Sequence, residues 1–189
     1  MLPIIDVVTK QGSKSYDPIS FMFNKKRSII LTGEIDEKLA SEINLQLMCL
    51  AELGNEDITM YINSPGGSVS AGLSILDTMN MIRCDIKTVC NGTAASMAAV
   101  LLSAGTKGKR YATTNAEIMI HQVIGGMHGQ ASDVKIAAKH MEETKKILNF
   151  ILAENTGNSI RKIQKDTDRD YYMTSNEAMK YGLIDGLVV

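Results

Sequence analysis

A chain of 189 residues has the length of one domain with at most a small appendage, and 44% hydrophobic against 22% charged residues is the balance of a soluble globular unit, which excludes a disordered or low-complexity polymer. Twenty Lys and Arg against twenty-one Asp and Glu leave a formal charge of −1, aromatic residues are only 5% and Trp is absent, so neither the basic field nor the stacking platform of a nucleic-acid binder is present. A chain of this size buries about 70% of its unfolded surface without covalent staples, and Cys49, Cys84 and Cys90, with no CxxC pair, read as reduced thiols of a cytoplasmic protein.

Met1 to Asp6 carries no basic region ahead of a long apolar run, so no secretory leader is expected. The most apolar stretch, Met97 to Leu102, is far below the ~18 residues of a membrane span. Leu2 to Val8 is apolar and is tethered by the polar segment Lys10 to Asp17, read as a flexible connection; residues 1–17 therefore form an arm ahead of a single domain, 18–189. Ser28 to Gly33 is a short buried strand, and a helix from about Asp36 to Leu53 stops at Gly54. The alternation continues with a strand at Ile58 to Ile62, a Gly-rich turn, a helix at Ala71 to Ile82, a strand at Ile86 to Cys90 and a helix starting near Ser96. Short apolar strands between helices predict an α/β fold of parallel βαβ units. Two further strands fall at Arg110 to Ala112 and Ile118 to Ile120. Val134, Ala137, Ala138, Met141, Leu148, Ile151 and Leu152 then mark a helix of roughly 25 residues ending at Gly157. Such a length predicts a projecting element that buries its apolar stripe against a second copy; the plainer alternative lays it across the sheet. A short helix after Ser159 and a capping-box helix from Thr174 to Gly182 complete the chain.

The chemistry narrows by exclusion. No GxxxxGK[ST] loop is present for ATP, and neither HExxH nor any pairing of His121, His128 and His140 suits zinc, so no cofactor or metal is expected. Three features remain. Gly92-Thr-Ala-Ala-Ser96-Met97 sets a hydroxyl at a strand-to-helix junction, where unpaired N–H groups favour a developing oxyanion, although serine is also an ordinary N-cap. Asn63-Ser-Pro-Gly-Gly-Ser68 brings backbone amides close to a ligand, although Pro-Gly also makes simple turns. In a parallel sheet both loops lie at the carboxyl ends of strands and face one crevice. His121 ends an apolar strand and is a candidate general base, against the ordinary reading of a satisfied core histidine. Asp166-Thr-Asp-Arg-Asp170 supplies three acids that share one face if the stretch is extended. Residue physics does not choose among them, beyond Asp170 being best placed for enclosure beside Tyr171-Tyr172-Met173; the plain reading is a solvated turn.

Over nearly the whole length, Tyr61-Ile-Asn-Ser-Pro-Gly-Gly-Ser-Val69, Gly92-x-Ala-Ala-Ser-Met97, Met119-Ile-His-Gln122, Asp166-Thr-Asp-Arg-Asp170 and Tyr181-Gly-Leu-Ile-Asp185 resemble the ClpP family, the serine peptidases of the Clp protease. The resemblance implies the ClpP/crotonase fold, with stacked βαβ units as a head and a handle over about 122–157. It implies Ser96 as nucleophile, His121 as general base, Asp170 as orienting acid, and amides of Gly67 and Met97 as the oxyanion hole. A polypeptide substrate would add as a strand between Gly66-Gly67-Ser68 and the segment at Val123. Gln130, Asp133, Asp168 and Arg169 would couple ring pairing to activity. The implied partners are stacked seven-subunit rings of the chain itself, a separate AAA+ ATPase over an axial pore lined by the N-terminal arm, and a paralogous ring subunit. Val123, where the family commonly has proline, Ala98 for glycine, Thr93 for glutamine, Thr113-Thr114 for Leu-Pro, and loose matching over Pro18 to Glu52 point to a divergent paralogue. Two other functions compete with an endopeptidase: a crotonase-type acyl-CoA enzyme and an accessory ring subunit that needs a paralogue.

Overall fold

The computed structural model describes residues 4–9, 12–126 and 128–188. Leu2, Pro3 and Lys10 of the expected arm and its tether lie outside the described residues. The arm is a hairpin rather than an apolar segment on a loose tether: β1 (Ile5–Thr9) pairs antiparallel with β2 (Gly12–Tyr16), a two-stranded sheet of its own. The polar alternation of Gly-Ser-Lys-Ser-Tyr hid this strand, because pairing with β1 satisfies its backbone while its side chains stay in water. A helix not foreseen in the sequence follows, α1 (Pro18–Lys26), started by Asp17, whose carboxylate accepts from the Ser20 N–H, with proline in the first turn.

The head alternates as expected. It runs β3 (Ser28–Thr32), α2 (Glu37–Leu53), β4 (Ile58–Ser64), α3 (Val69–Met81), β5 (Ile86–Ala95), α4 (Met97–Ser103), β6 (Arg110–Thr113) and β7 (Glu117–Ile120). Asp36 caps α2 by accepting from the Leu39 N–H. The second sheet has the order β3-β4-β5-β6 with parallel pairing throughout. β5 is twice as long as its sequence signal. Its first half pairs with β6, and its second half, Thr93 to Ala95, pairs in parallel with β7. The core lies between this sheet and its helices, with Leu31, Ile58, Met60, Ile62, Ile75 and Leu101 fully buried.

After β7, the long helix α5 (Ala131–Thr156) ends where Gly157 takes a left-handed C-cap. Only Asn149, Leu152 and Ala153 of α5 are buried, and its first ten residues are exposed apart from the half-buried Ala137. The helix therefore extends beyond the packed layers of the subunit. Then come α6 (Ile160–Asp166), β8 (Tyr171–Thr174), α7 (Ser175–Tyr181) with the expected capping box of Thr174 and Glu177, and β9 (Gly186–Val188). β8 pairs antiparallel with β7, and β9 closes the sheet beside β6. This is the mixed α/β architecture with a parallel sheet that was expected, plus one antiparallel edge.

Candidate active site

Register places the site. Ala95 at the end of β5 is paired with Met119 of β7, and Ile120 at the end of β7 is paired with Tyr171 at the start of β8. The next residue along the first two strands is Ser96 and His121, and the residue before the third is Asp170. Three strand ends in one sheet therefore bring together side chains far apart in the chain. His121 Nε2 lies 2.7 Å from Ser96 Oγ, and His121 Nδ1 lies 3.3 Å from Asp170 Oδ1. A carboxylate can only accept, so the proton between the ring and Asp170 belongs to Nδ1, leaving Nε2 as acceptor for the serine hydroxyl.

Ser96 is not an ordinary N-cap. Its side chain makes no capping bond, and its backbone is at φ 56, ψ −123, a left-handed conformation costly for a non-glycine residue. The strain is held by its N–H donating to the Met119 carbonyl at 2.9 Å and by the buried small residues Ala94, Ala95, Ala98 and Ala99 on either side. Gly66 crosses directly against this turn, and Gly67 against the backbone of Ile35. A Cβ on Gly66 would stand 2.7 Å from the Ala95 carbonyl oxygen and from Ser96 Cβ, and one on Gly67 would stand 2.3 Å from the Ile35 carbonyl oxygen. Ile35 donates to the Gly66 carbonyl and accepts from the Ser68 N–H, so by parallel-strand geometry the N–H of Gly67 points away from Ile35. Gly67 and Met97, the first residue of α4, both line a cleft of about 120 Å³ with Ser96 and His121. Ser68 serves mainly as the N-cap of α3, accepting from the Ala71 N–H.

The three acids of residues 166–170 are not on one extended face. Asp166 ends α6, and residues 167–169 turn before β8. Asp166 accepts from Lys162 Nζ and from the Tyr181 hydroxyl. Burial pushes its carboxyl upward, but these two hydrogen bonds outweigh it and hold the group below the ordinary carboxylate value, while burial and Asp166 together raise the Tyr181 phenol. Asp170 is the acid that reaches the imidazole, and contrary to expectation it is not enclosed: its side chain is 55% exposed, against 14% for His121. Ending the sheet at Tyr171 leaves the aspartate in a turn open to solvent.

Val123 lines the cleft. Gln130 and Asp133 begin α5, and Asp168 and Arg169 lie in the acid turn; all four are exposed, and among the described residues no side-chain hydrogen bond or ion pair joins them to one another. The structure thus brings Ser96, His121 and Asp170 together near Gly67 and Met97, and leaves Gln130, Asp133, Asp168 and Arg169 unjoined by side-chain bonds within one subunit. The apolar wall of the cleft, Val100, Ile120, Leu148 and Leu152, reads in the sequence only as apolar positions of strands and helices, with Leu148 and Leu152 on a stripe expected to meet a second copy. The i, i+4 spacing of Leu148 and Leu152 shows that one helix face is apolar but not that a cavity faces it.

A serine whose hydroxyl meets an imidazole that in turn faces a carboxylate, set on strand ends of a parallel α/β sheet, is the arrangement of a serine hydrolase. The family model described as Clp protease matches residues 10–189. The ATP-dependent Clp protease proteolytic subunit of Ligilactobacillus salivarius (strain UCC118) is 50% identical over 189 residues, which is 100% of this chain and 95% of that protein. The chain belongs to the Clp protease family and is a serine peptidase. Among the described residues no helix is long and apolar enough to cross a membrane.

Proposed function

We propose that this chain is the cytoplasmic peptidase subunit of a self-assembling Clp machine, cleaving unfolded polypeptides with Ser96 as nucleophile. His121 takes the serine proton as Oγ attacks the peptide carbonyl and later passes it to the leaving amine; Asp170 keeps the imidazole in the required tautomer. The N–H groups of Gly67 and Met97 hold the oxyanion. An extended substrate pairs its backbone with Gly66 to Ser68 on one side and Val123 on the other, with one side chain in the apolar cleft. Two seven-membered rings of the chain, joined through α5, enclose these sites; the Gln130, Asp133, Asp168 and Arg169 set comes into play between subunits. A separate AAA+ ATPase delivers substrate past the hairpin of β1 and β2, since no nucleotide loop occurs in this sequence.

The observation that carries this reading is the 2.7 Å contact between Ser96 and His121, which both line the cleft, with Asp170 3.3 Å from the other ring nitrogen. Exposure to a fluorophosphonate followed by intact-mass measurement should show one adduct per subunit on the parent and none on Ser96→Ala, together with loss of peptide hydrolysis in that variant. An assembled parent that takes no label would instead make it an accessory subunit. Label with consumption of an acyl-CoA but no peptide cleavage would favour crotonase-type chemistry.

A further inference from the structure

The side chain of Gln122, the residue after His121, reaches two other elements at once. Its Nε2 donates to the backbone carbonyl of Asp168 at 2.7 Å, and its Oε1 accepts from Nζ of Lys145 on α5 at 2.9 Å. The partners settle which way the amide points, because an ammonium only donates and a carbonyl only accepts. Among the described residues Lys145 has no carboxylate partner, so its charge-assisted hydrogen bond goes to this amide.

The position of this bridge matters. The last paired residues of β7 and β8 are Ile120 and Tyr171, so His121 and Asp170 each lie one step beyond the sheet, where no ladder hydrogen bond holds them in register. The Asp170 carboxylate is more than half exposed and sits at the long end of hydrogen-bonding distance from the ring. Solvent screening leaves such a pair weak as a structural tie. The Gln122 to Asp168 bond spans the same gap two residues upstream of Asp170, and it leaves the catalytic groups themselves free to exchange protons.

We propose that Gln122 is a positioning residue for the peptidase reaction: its amide, oriented by Lys145 of α5, holds the turn carrying Asp170 against the end of β7 and so keeps the His121 imidazole in line with Ser96. This rests on Ser96 as the nucleophile. Leu at position 122 supplies neither bond. Glu keeps the acceptor for Lys145 but sets a carboxylate against the Asp168 carbonyl. Lys145→Met removes only the ammonium that orients the amide, and Lys145→Arg restores a cationic donor.

The test follows the rate of fluorophosphonate labelling and the kcat and KM of a small peptide, with particle size measured by sedimentation velocity. In particles of parental size, Gln122→Leu and Gln122→Glu are expected to lower both the labelling rate and kcat about tenfold, the scale of a modest misalignment, while KM stays within about twofold. Lys145→Met is expected to lose less, and Lys145→Arg to regain most of that loss. Gln122→Leu and Lys145→Met both reacting at the parental rate would overturn the proposal, as would a loss that falls on KM instead of kcat. If the Gln122 variants fail to assemble, the Lys145 pair decides, since a loss with Met that Arg does not restore also overturns it. A parent that takes no label would defeat the reading of Ser96 instead, so the two failures are distinguishable.

Discussion

Ser96 combines a strained backbone with a hydroxyl already hydrogen-bonded to His121, and both follow from a crowded turn in which Gly66, Ala95 and Met119 leave the main chain one path. Strain held by neighbours keeps Oγ aimed into the cleft before substrate arrives. In the proposed mechanism Asp170 acts at one remove, through the ring proton on Nδ1. Asp170→Asn can donate to that nitrogen and so favours the wrong tautomer; kcat should fall on the order of 10³-fold with the fold intact, a little less than for a buried aspartate because water reaches this one. Steady-state peptide hydrolysis beside an unchanged circular-dichroism spectrum checks it. At this scale the sequence showed which side chains carry chemistry but not their company. Residue physics alone does not separate the three acids of residues 166–170; the family resemblance singles out Asp170, and in the structure Asp166 is bound to Lys162 and Tyr181 while Asp170 faces the imidazole.

Elements reach the site through register, and some are anchored far from it. Arg110, 4% exposed at the start of β6, forms a bidentate pair with Asp185 ahead of β9 and also donates to the carbonyls of Ser103 on α4 and Asn155 on α5. One guanidinium thus ties the ends of two helices to the sheet edge. Hydrogen bonds from Arg110 hold the Asp185 carboxyl below its ordinary value of 3.8 despite burial pushing it upward. A depressed carboxyl stabilises the fold fully above its unfolded value, and that stability is lost as pH falls through the folded value. Asp185→Ala should therefore cost about 3 kcal/mol near neutral pH, the low end for a broken buried pair because Asp185 keeps some exposure. Urea unfolding should show the gap between parent and variant closing in strong acid. The alternation of strands and helices was legible because buried parallel strands are apolar throughout. The hairpin, α1, β8 and β9 were not, since short or polar edge segments owe their structure to a neighbouring strand or a cap.

For the whole molecule, α5 leaves Ile136, Ile147 and Phe150 more than half exposed, with Ile160 of α6 nearby in a shared apolar groove beside Ile147 and Phe150. A helix with so little of its length buried in its own subunit gains stability when its apolar stripe is covered by another copy. The double variant Ile147→Asp with Phe150→Asp should sediment as smaller particles than the parent and lose peptidase activity, because α5 also contributes Leu148, Leu152 and Lys145 to the site and its surroundings. A particle of parental size would place this face outside the assembly contact.

The sequence by itself determined the α/β class, the long helix and the set of chemically able residues, because those depend on local periodicity and on residue types that few other roles require. Tertiary structure alone decided that β5 is shared between β6 and β7, that Asp166 is held by Lys162 and Tyr181 while Asp170 stays open to solvent, and that Gln122 bridges the acid turn to α5. Those outcomes are set by strand register and by hydrogen bonds between residues distant in the chain, and register is fixed only when the whole sheet packs against its helices.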